Sequence, residues 1–211
     1  MNQLTELSPE EKVTLDYYQT NALTRNCGYG NPEFWRPEFE KFRQFCPEGH
    51  IVDLGCGAGR DAVLFMSDSR YMYLGVDISP NMIRQAQLLV TKAPFQIMNI
   101  CHPDLWPNSA NGFWAAGSLL HLPKEKLPQA LNSIRSFVKI GGIGFIALKE
   151  GDGEKFVSDP NGSRFFAFYQ QEEFSTILRS HRFEVLCMAR GVCGLVPQDK
   201  TVWLTYFVKV V

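Results

Sequence analysis

The residues that could carry chemistry begin with a glycine-rich turn at residues 55–59, with the sequence Gly-Cys-Gly-Ala-Gly. The turn directly follows a short apolar run at residues 51–54 and precedes a helical pattern at residues 61–66. Glycine tolerates a positive φ and lets a ligand approach the backbone closely. The N-terminus of the following helix presents free N–H groups and a positive dipole to the turn. The pattern therefore predicts a nucleotide-like ligand at the carboxyl edge of a parallel sheet.

The spacing of the glycines separates two classes of nucleotide ligand. A dinucleotide fingerprint reads G-x-G-x-x-G, whereas this turn reads G-x-G-x-G and continues with Arg60. Asp53 lies two positions before the first glycine. A carboxylate at that place can meet a cationic amino group, which S-adenosylmethionine has and NAD lacks. The spacing therefore favours S-adenosylmethionine.

A second acidic residue, Asp77, directly follows the next apolar run, which covers residues 71–76. A carboxylate at the end of the second strand can accept hydrogen bonds from both hydroxyls of a ribose. NAD and S-adenosylmethionine share that ribose, so Asp77 supports a nucleoside without choosing between them. The alternative is a local role as a helix cap, because Ser79-Pro80 starts a helix directly afterwards.

Through these motifs the chain resembles the class I S-adenosylmethionine-dependent methyltransferases, and most of all the small, single-domain bacterial-type members. The resemblance spans about residues 18–210. It is carried by residues 52–61 and 75–79 together with Met82, and more loosely by residues 117–123, 139–142 and 147–151. The family implies S-adenosylmethionine as cofactor and a seven-stranded sheet whose last strand is antiparallel.

The resemblance also implies a role for each matching residue. Many relatives have an aspartate where this chain has Asn99, and an amide accepts a hydrogen bond more weakly than a carboxylate. Asp53 and the glycine turn are expected to hold the amino-acid part of the cofactor, Asp77 the ribose, and Ile78, Asn99 and Ile100 the adenine. Gly117 and Leu119 are expected near the methionine part, and Tyr18 and Asn21 in a segment that closes over the cofactor. The expected cofactor-binding residues are Tyr18, Asp53, Gly55, Cys56, Gly57, Gly59, Arg60, Asp77, Ile78, Met82, Asn99, Ile100, Gly117 and Leu119.

Candidate catalytic residues depend on whether the methyl acceptor carries a proton. Transfer from a sulfonium needs alignment and a dry site more than strong acid–base help. His121, at the carboxyl edge of a predicted strand, could deprotonate a hydroxyl or thiol; alternatively it caps a helix or packs in the interior. Glu150 is a second candidate base, and Lys149 and Arg164 could hold an anionic acceptor. A solvated loop is the alternative for these three residues.

Predicted strands and helices alternate along the chain and must position these residues. This order predicts an α/β, Rossmann-like three-layer sandwich with a mostly parallel sheet. Ser8-Pro9 and Glu11 predict a capped helix start, and an aromatic stripe at Trp35, Phe39 and Phe42 predicts core packing or a lid. A helix from residue 127 is expected to end at Gly141-Gly142. Seven strands are expected at residues 51–54, 71–76, 95–98, 113–117, 143–148, 183–188 and 202–210.

The chain divides into residues 1–45, an expected helical cap or lid, and residues 46–211, the expected S-adenosylmethionine-binding domain. Its 211 residues are 45% hydrophobic and 20% charged, with a net charge of −1, so no global basic field is available to hold nucleic acid. Neither a signal peptide nor an apolar run of about 20 residues is visible, which predicts a cytoplasmic protein without a membrane partner. The six cysteines have neither C-x-x-C nor zinc-finger spacing, which predicts free thiols and no metal site.

The acceptor class is narrowed by motifs that the sequence lacks. The end of the fourth predicted strand has no Asn/Asp-Pro-Pro-Tyr/Phe motif of amide methyltransferases, and no Pro-Cys marks a cytosine methyltransferase. These features favour a small-molecule acceptor over DNA, RNA or protein, and leave a monomer and a homodimer open. A nicotinamide-dependent oxidoreductase is disfavoured by Arg60 and by the absence of Tyr-x-x-x-Lys at Tyr169, which Glu173 follows. A binding protein that has lost transfer activity stays an alternative.

Overall fold

The computed structural model of the chain describes residues 7–23, 30–192 and 200–211. None of the helices in those three segments is long and apolar enough to span a membrane. The helices are α1 (Pro9–Thr20), α2 (Arg36–Phe45), α3 (Ala62–Met66), α4 (Pro80–Leu89), α5 (Leu127–Phe137) and α6 (Gln171–Ser180). The strands are β1 (Gly49–Leu54), β2 (Tyr71–Asp77), β3 (Phe95–Ile97), β4 (Ala110–Ala116), β5 (Val138–Lys149), β6 (Glu154–Asp159), β7 (Gly162–Ala167), β8 (Phe183–Val192) and β9 (Val202–Val210).

Seven of the strands form one sheet in the order β3-β2-β1-β4-β5-β9-β8. The first five run parallel, while β9 is antiparallel to both of its neighbours, β5 and β8. This arrangement confirms the predicted α/β fold with a mostly parallel, seven-stranded sheet and an antiparallel last strand.

The strand order reverses between β1 and β4, which are adjacent in the sheet although β2 and β3 lie between them in the chain. Connections that leave two adjacent parallel strands in opposite directions open a crevice at the strands' carboxyl ends. The turn after β1 begins at Gly55, and the turn after β4 begins at Gly117. The topology therefore brings these two predicted site segments to the same crevice.

Aromatic side chains fill the space between the sheet and the helices on both of its faces. On one face, Phe39 and Phe42 of α2 pack against Phe65 and Trp114 with ring centroids 5.0 and 5.5 Å apart. On the other face, Phe174 of α6 packs against Tyr206 of β9 at 5.1 Å. The predicted core packing is confirmed for Phe39 and Phe42 of α2, which are buried, and Trp35, directly before α2, is buried as well.

The predicted start of α1 is confirmed in detail. The Ser8 hydroxyl accepts a hydrogen bond from the backbone N–H of Glu11 at 3.3 Å, and the Glu11 carboxylate accepts one from the backbone N–H of Ser8 at 2.8 Å. Each side chain satisfies an N–H group that has no partner within the helix. The pair fixes where α1 begins, and thereby the face that α1 presents to the rest of the molecule.

The end of α5 differs from the prediction, because the helix stops at Phe137 and not at the Gly141-Gly142 pair. Val138 is already extended and pairs with Ala110 of β4, and the register then shifts before Gly112 pairs with Ile143. A Cβ on Gly142 would lie 2.5 Å from the Val138 side chain, and Gly141 has a φ of 82°. The two glycines therefore allow a tight bulge in β5.

A two-stranded hairpin, β6–β7, is an element that the sequence analysis did not predict. Asp159 pairs with Gly162 at its tip, so Pro160 and Asn161 form the turn. Hydrogen bonds join the hairpin to α1: Tyr17 donates to Asp159 at 2.7 Å, and the side chain of Asn21 donates to the carbonyl of Asn161 at 3.1 Å. We refer to α1 and this hairpin together as the cap.

Four cysteines, Cys46, Cys56, Cys101 and Cys187, are free thiols, as predicted. Cys27 and Cys193 lie outside the described residues. Burial raises the pKa of both Cys46 and Cys101 to about 11, so these two thiols stay protonated and unreactive at neutral pH.

Candidate functional site

The glycine turn follows β1 and is held to the end of β2 by backbone hydrogen bonds. The N–H groups of Gly55 and Cys56 both donate to the carbonyl of Val76, at 2.8 and 2.9 Å. Gly55, Gly57 and Gly59 have φ values of 72°, 55° and 85°, which are values that favour glycine. The alternating glycines thus let the chain turn tightly at the crevice between β1 and β4.

The three glycines of the turn differ in what a side chain at their position would meet. A Cβ on Gly55 would lie 2.4 Å from the Cβ of Ser118, and one on Gly59 would lie 3.0 Å from the Cα of Ala86 in α4. These two glycines permit close packing of the turn against its neighbours. A Cβ on Gly57 would meet no atom within 4 Å, so the backbone of Gly57 faces open space.

Asp77 braces the turn from the end of β2. Its carboxylate accepts hydrogen bonds from the N–H groups of Gly57 at 3.0 Å and Ser79 at 2.8 Å. Burial raises the pKa of Asp77, and these backbone hydrogen bonds oppose that rise. The helix cap of α4 is Ser79, whose hydroxyl accepts from the N–H of Met82. Asp77 therefore supports the glycine turn and leaves the capping to Ser79.

A cavity of about 400 Å³ opens over Gly57 and Asp77 and extends beneath the cap. This volume lies in the usual range for small-molecule sites. The structure brings together twelve of the residues predicted for the site around this cavity: Tyr18, Gly55, Cys56, Gly57, Arg60, Asp77, Ile78, Met82, Asn99, Ile100, Gly117 and His121.

Three further predicted residues do not line the cavity. Gly59 packs against α4, as described above, and Leu119 is fully buried in the core, where it contacts no open space. Glu150 lies outside the cavity, where Arg190 donates two hydrogen bonds to its carboxylate, each at 2.7 Å. The hydrogen bonds from Arg190 lower the pKa of Glu150. A carboxylate held in this way is a poor base, so the structure corrects the prediction for Glu150.

Asp53 also departs from its predicted place. It belongs to the β1–β2 ladder opposite Gly75, so its side chain points out of the sheet and not along the strand into the crevice. It is 2% exposed, and its carboxyl accepts a hydrogen bond from the Tyr73 hydroxyl at 2.7 Å. Burial, followed by the nearby charge of Asp61, raises the pKa of Asp53 well above its ordinary value. The structure therefore corrects the prediction that Asp53 faces the ligand.

Replacing Asp53 by asparagine is expected to stabilise the protein at neutral pH. The pKa of Asp53 is raised in the folded state, so the folded wild-type protein loses stability as pH rises above the ordinary pKa of an aspartate. The asparagine amide takes the place of the neutral carboxyl and cannot ionise. Each unit by which the fold raises the pKa of Asp53 costs about 1.4 kcal/mol of folding free energy once the carboxyl is ionised, and the substitution removes that cost. Thermal unfolding from pH 4 to pH 8 should show an advantage of Asp53→Asn at pH 7 that shrinks toward pH 4. A variant that gains no stability and loses cofactor affinity would instead place Asp53 against the ligand.

Arg60 follows the turn and closes one side of the cavity. Its guanidinium donates to both carboxylate oxygens of Asp61, at 2.5 and 2.6 Å, and lies 5.8 Å from the ring centroid of Phe34. The indole N–H of Trp114 donates to the same Asp61 carboxylate at 2.8 Å. Asp61 thus fixes Arg60 at the cavity wall in one orientation.

On the cap side of the cavity, His121 joins three elements. Its Nε2 lies 2.9 Å from the hydroxyl of Tyr18 in α1, and its Nδ1 lies 2.7 Å from the carbonyl oxygen of Phe165 in β7. Its ring also packs on Phe166 with centroids 4.7 Å apart. His121 follows β4, so it connects the sheet edge to the cap.

Two basic side chains lie near the same phenyl ring. The Nζ of Lys149, the last residue of β5, is 4.5 Å from the ring centroid of Phe166, and the guanidinium carbon of Arg164 is 5.3 Å from it. Arg164 also pairs with Asp159 at 3.0 Å. Lys149, Arg164 and Phe166 all line the cavity, whereas Asp159 does not. The sequence analysis allowed Lys149 and Arg164 a place at the acceptor.

Some cavity residues were missed by the sequence analysis. Trp203, near the start of β9, lies within 3.4 Å of the position that a Cβ on Gly117 would occupy. Phe34, which was also missed, and Trp35, for which the sequence analysis allowed a lid, complete this wall. The ring centroids of Trp35 and Trp203 are 5.3 Å apart. An antiparallel last strand beside β5 places its first residues at the carboxyl edge of the sheet, and this register was the available signal for Trp203.

Residues 51–142 match the model of a protein family described as a methyltransferase domain. A demethylmenaquinone methyltransferase of Symbiobacterium thermophilum is 27% identical over 152 residues, which are 66% of this chain and 56% of that protein. An O-methyltransferase, resE, of Aspergillus sclerotiorum is 27% identical over 150 residues, 65% of this chain and 55% of that protein. The chain thus spans about half the length of the curated relatives it matches.

A solved structure with a similar fold is the 1,6-didemethyltoxoflavin-N1-methyltransferase of Burkholderia thailandensis, crystallised with 1,6-didemethyltoxoflavin and S-adenosylhomocysteine. Its TM-score is 0.78 at 18% identity, and the match covers 97% of this chain and 91% of that one. At this level of identity the likeness establishes the fold, which agrees with the Rossmann-like sheet described above.

Proposed function

We propose that the protein transfers the methyl group of S-adenosylmethionine to a small-molecule acceptor, starting from the match of residues 51–142 to the model of a methyltransferase domain. One observation carries the proposal. Asp77 holds the turn at Gly57 so that its bare backbone faces open space in the cavity. A ligand with a nucleoside and an amino-acid end fits such a turn, because the turn offers close approach to one end and a carboxylate to the other.

The residues around the cavity divide between the two ends of the cofactor. We assign the amino-acid end to the turn from Gly55 to Gly57 and the ribose to Asp77. The adenine is assigned to the apolar and amide groups that lie beyond Asp77 in the lining, namely Ile78, Met82, Asn99 and Ile100. Gly117 and the indole of Trp203 then flank the methionine part, where the missing side chain of Gly117 leaves room.

When bound, S-adenosylmethionine supplies an electrophilic methyl group on a sulfonium. The protein's part is to align the acceptor with that methyl group and to exclude water. We assign the acceptor to the cap side of the cavity, where Tyr18, His121 and Phe166 line the wall. The toxoflavin enzyme of similar fold was crystallised with 1,6-didemethyltoxoflavin and S-adenosylhomocysteine together, which supports a site that holds two small molecules at once.

The cap that we propose is smaller than the predicted segment of residues 1–45. α2 lies within that segment, but its Phe39 and Phe42 are part of the sheet core. α1 instead contacts the hairpin, since Thr14 accepts a hydrogen bond from the N–H of Phe165 at 3.0 Å. We therefore assign the closing role to α1 together with β6 and β7.

The formation of S-adenosylhomocysteine in the presence of S-adenosylmethionine and a panel of small phenols, amines and thiols tests the proposed activity. We expect product with at least one acceptor class and a background rate without acceptor. Binding of S-adenosylmethionine without turnover on any of them would favour a binding protein. Binding of NADH in its place would favour the oxidoreductase, which Arg60 and the G-x-G-x-G spacing disfavour.

A further inference from the structure

The hydrogen bonds of His121 determine which of its nitrogens carries the proton. The carbonyl oxygen of Phe165 only accepts, so Nδ1, 2.7 Å away, must donate. In the neutral imidazole, Nε2 is then the acceptor, and the hydroxyl of Tyr18 donates to it at 2.9 Å. The basic nitrogen of His121 is therefore occupied by the Tyr18 hydroxyl, so a proton can reach Nε2 through the Tyr18 oxygen.

Tyr18 is well placed to receive a proton from a ligand. It lines the cavity on the cap side, and its ring packs edge-on against His121 with centroids 5.4 Å apart. A phenolic oxygen that donates one hydrogen bond can accept another. The arrangement resembles a base oriented by a third group, with Phe165 orienting His121 and His121 activating Tyr18.

Resting on the methyl transfer proposed above, we propose that Tyr18 and His121 form a proton relay that deprotonates a planar acceptor with an acidic hydroxyl, such as a phenol or enol. As the acceptor oxygen bonds to the methyl carbon, its proton passes to the Tyr18 oxygen, and the Tyr18 proton passes to Nε2 of His121. The electron pair of the broken carbon–sulfur bond stays on sulfur, so the sulfonium becomes a neutral thioether. His121 ends as an imidazolium that still donates from Nδ1 to Phe165, and it returns the proton to solvent.

The charges around the relay favour an acceptor that becomes an anion. The charged side chains of the cavity lining are Glu11 in α1, Arg60 after the glycine turn, Asp77 at the end of β2, Lys149 in β5 and Arg164 in β7. Three of these five are cations, of which Arg60 is paired with Asp61 and Arg164 with Asp159. Lys149 and Arg164 both lie near the ring of Phe166. A flat ring that packs on Phe166 would place an oxyanion near those cations.

A coloured phenol tests the relay without relying on turnover. The protein is first titrated with S-adenosylhomocysteine in a calorimeter, and 4-nitrophenol is then added to the complex at a pH where the free dye is mostly protonated. We expect the visible band of the nitrophenolate to appear on binding, because the relay takes the proton and the cations hold the anion. We expect Tyr18→Phe, which keeps the ring and removes only the hydroxyl, to bind S-adenosylhomocysteine as the wild-type protein does. The intensity of the nitrophenolate band should fall at least tenfold in this variant.

Matched variants separate the relay from a structural effect. Tyr206→Phe removes a tyrosine hydroxyl outside the cavity lining, which donates to the carbonyl oxygen of Gln171, and should keep the band. His121→Gln removes the proton acceptor and Lys149→Met removes a nearby cation, and both should lose the band. With any phenol found to be methylated, Tyr18→Phe should slow transfer about 100-fold, the range of a lost general base.

The outcomes distinguish the two proposals. Failure of wild-type protein to bind S-adenosylhomocysteine would overturn the proposed function before the dye is added. Normal binding of S-adenosylhomocysteine without the nitrophenolate band, or an unchanged band in Tyr18→Phe, would overturn the relay and leave methyl transfer standing.

Discussion

Substitution of Gly57 by valine is expected to abolish cofactor binding while the protein stays folded. A Cβ at this position meets no protein atom within 4 Å, so the new side chain has room in the unliganded protein. It would occupy the space over the turn where we place the amino-acid end of the cofactor. Calorimetric titration with S-adenosylhomocysteine should show a loss of affinity of at least 100-fold, with circular dichroism unchanged.

Gly153 offers a matched control for this experiment. It has a φ of 67°, close to the 55° of Gly57, and a Cβ there also meets nothing within 4 Å. Gly153→Val therefore carries a similar backbone cost, but Gly153 does not line the cavity. We expect it to bind as the wild-type protein does. Normal binding by Gly57→Val would show that the ligand does not lie over the turn.

Substitution of Asp77 by alanine is expected to weaken cofactor binding by about 1.5–3 kcal/mol, the cost of losing hydrogen bonds to a charged group. This corresponds to roughly a 10- to 150-fold rise in Kd. The change acts in two ways: it removes the proposed acceptor for the ribose hydroxyls, and it leaves the N–H groups of Gly57 and Ser79 without their partner. Calorimetry with S-adenosylhomocysteine measures the effect.

Asp68 provides the comparison for Asp77, because it also accepts a hydrogen bond from the N–H two residues later, that of Arg70, at 3.2 Å. Asp68 does not line the cavity, so Asp68→Ala should leave the affinity unchanged. Equal affinities for Asp77→Ala and the wild-type protein would remove Asp77 from the cofactor site.

The parts of the site that the sequence predicted well are set by short segments of chain. The glycine turn needs only a strand before it and a helix after it, and Asp77 reaches Gly57 because β1 and β2 are adjacent parallel strands. These relations follow from local patterns and from the right-handed connection between neighbouring strands. The cavity accordingly contains most of the residues expected there.

Predictions failed where a side chain's direction depends on a distant partner. Asp53 faces Tyr73 because Gly75, opposite it in the ladder, has no side chain and leaves room for the Tyr73 hydroxyl. The carboxylate of Glu150 accepts hydrogen bonds from Arg190, which lies 40 residues further along the chain. No pattern near either carboxylate marks that partner.

The hairpin part of the cap was missed for a related reason. The residues at 159–162, Asp-Pro-Asn-Gly, are a turn signal that was available in the sequence. The contacts that make the hairpin part of the site, however, join it to α1 about 140 residues earlier, as between Asn21 and Asn161. Because of these contacts Tyr18 meets His121, a pairing that spacing alone does not predict.

Thermal unfolding of the wild-type protein with S-adenosylhomocysteine, and separately with NADH, tests the central claim most directly. At about 100 times its Kd a ligand stabilises by about 2.7 kcal/mol, which for a chain of this size raises Tm by about 5–10 °C. We predict that rise with S-adenosylhomocysteine and none with NADH. A rise with NADH alone would contradict the assignment of the glycine turn to S-adenosylmethionine.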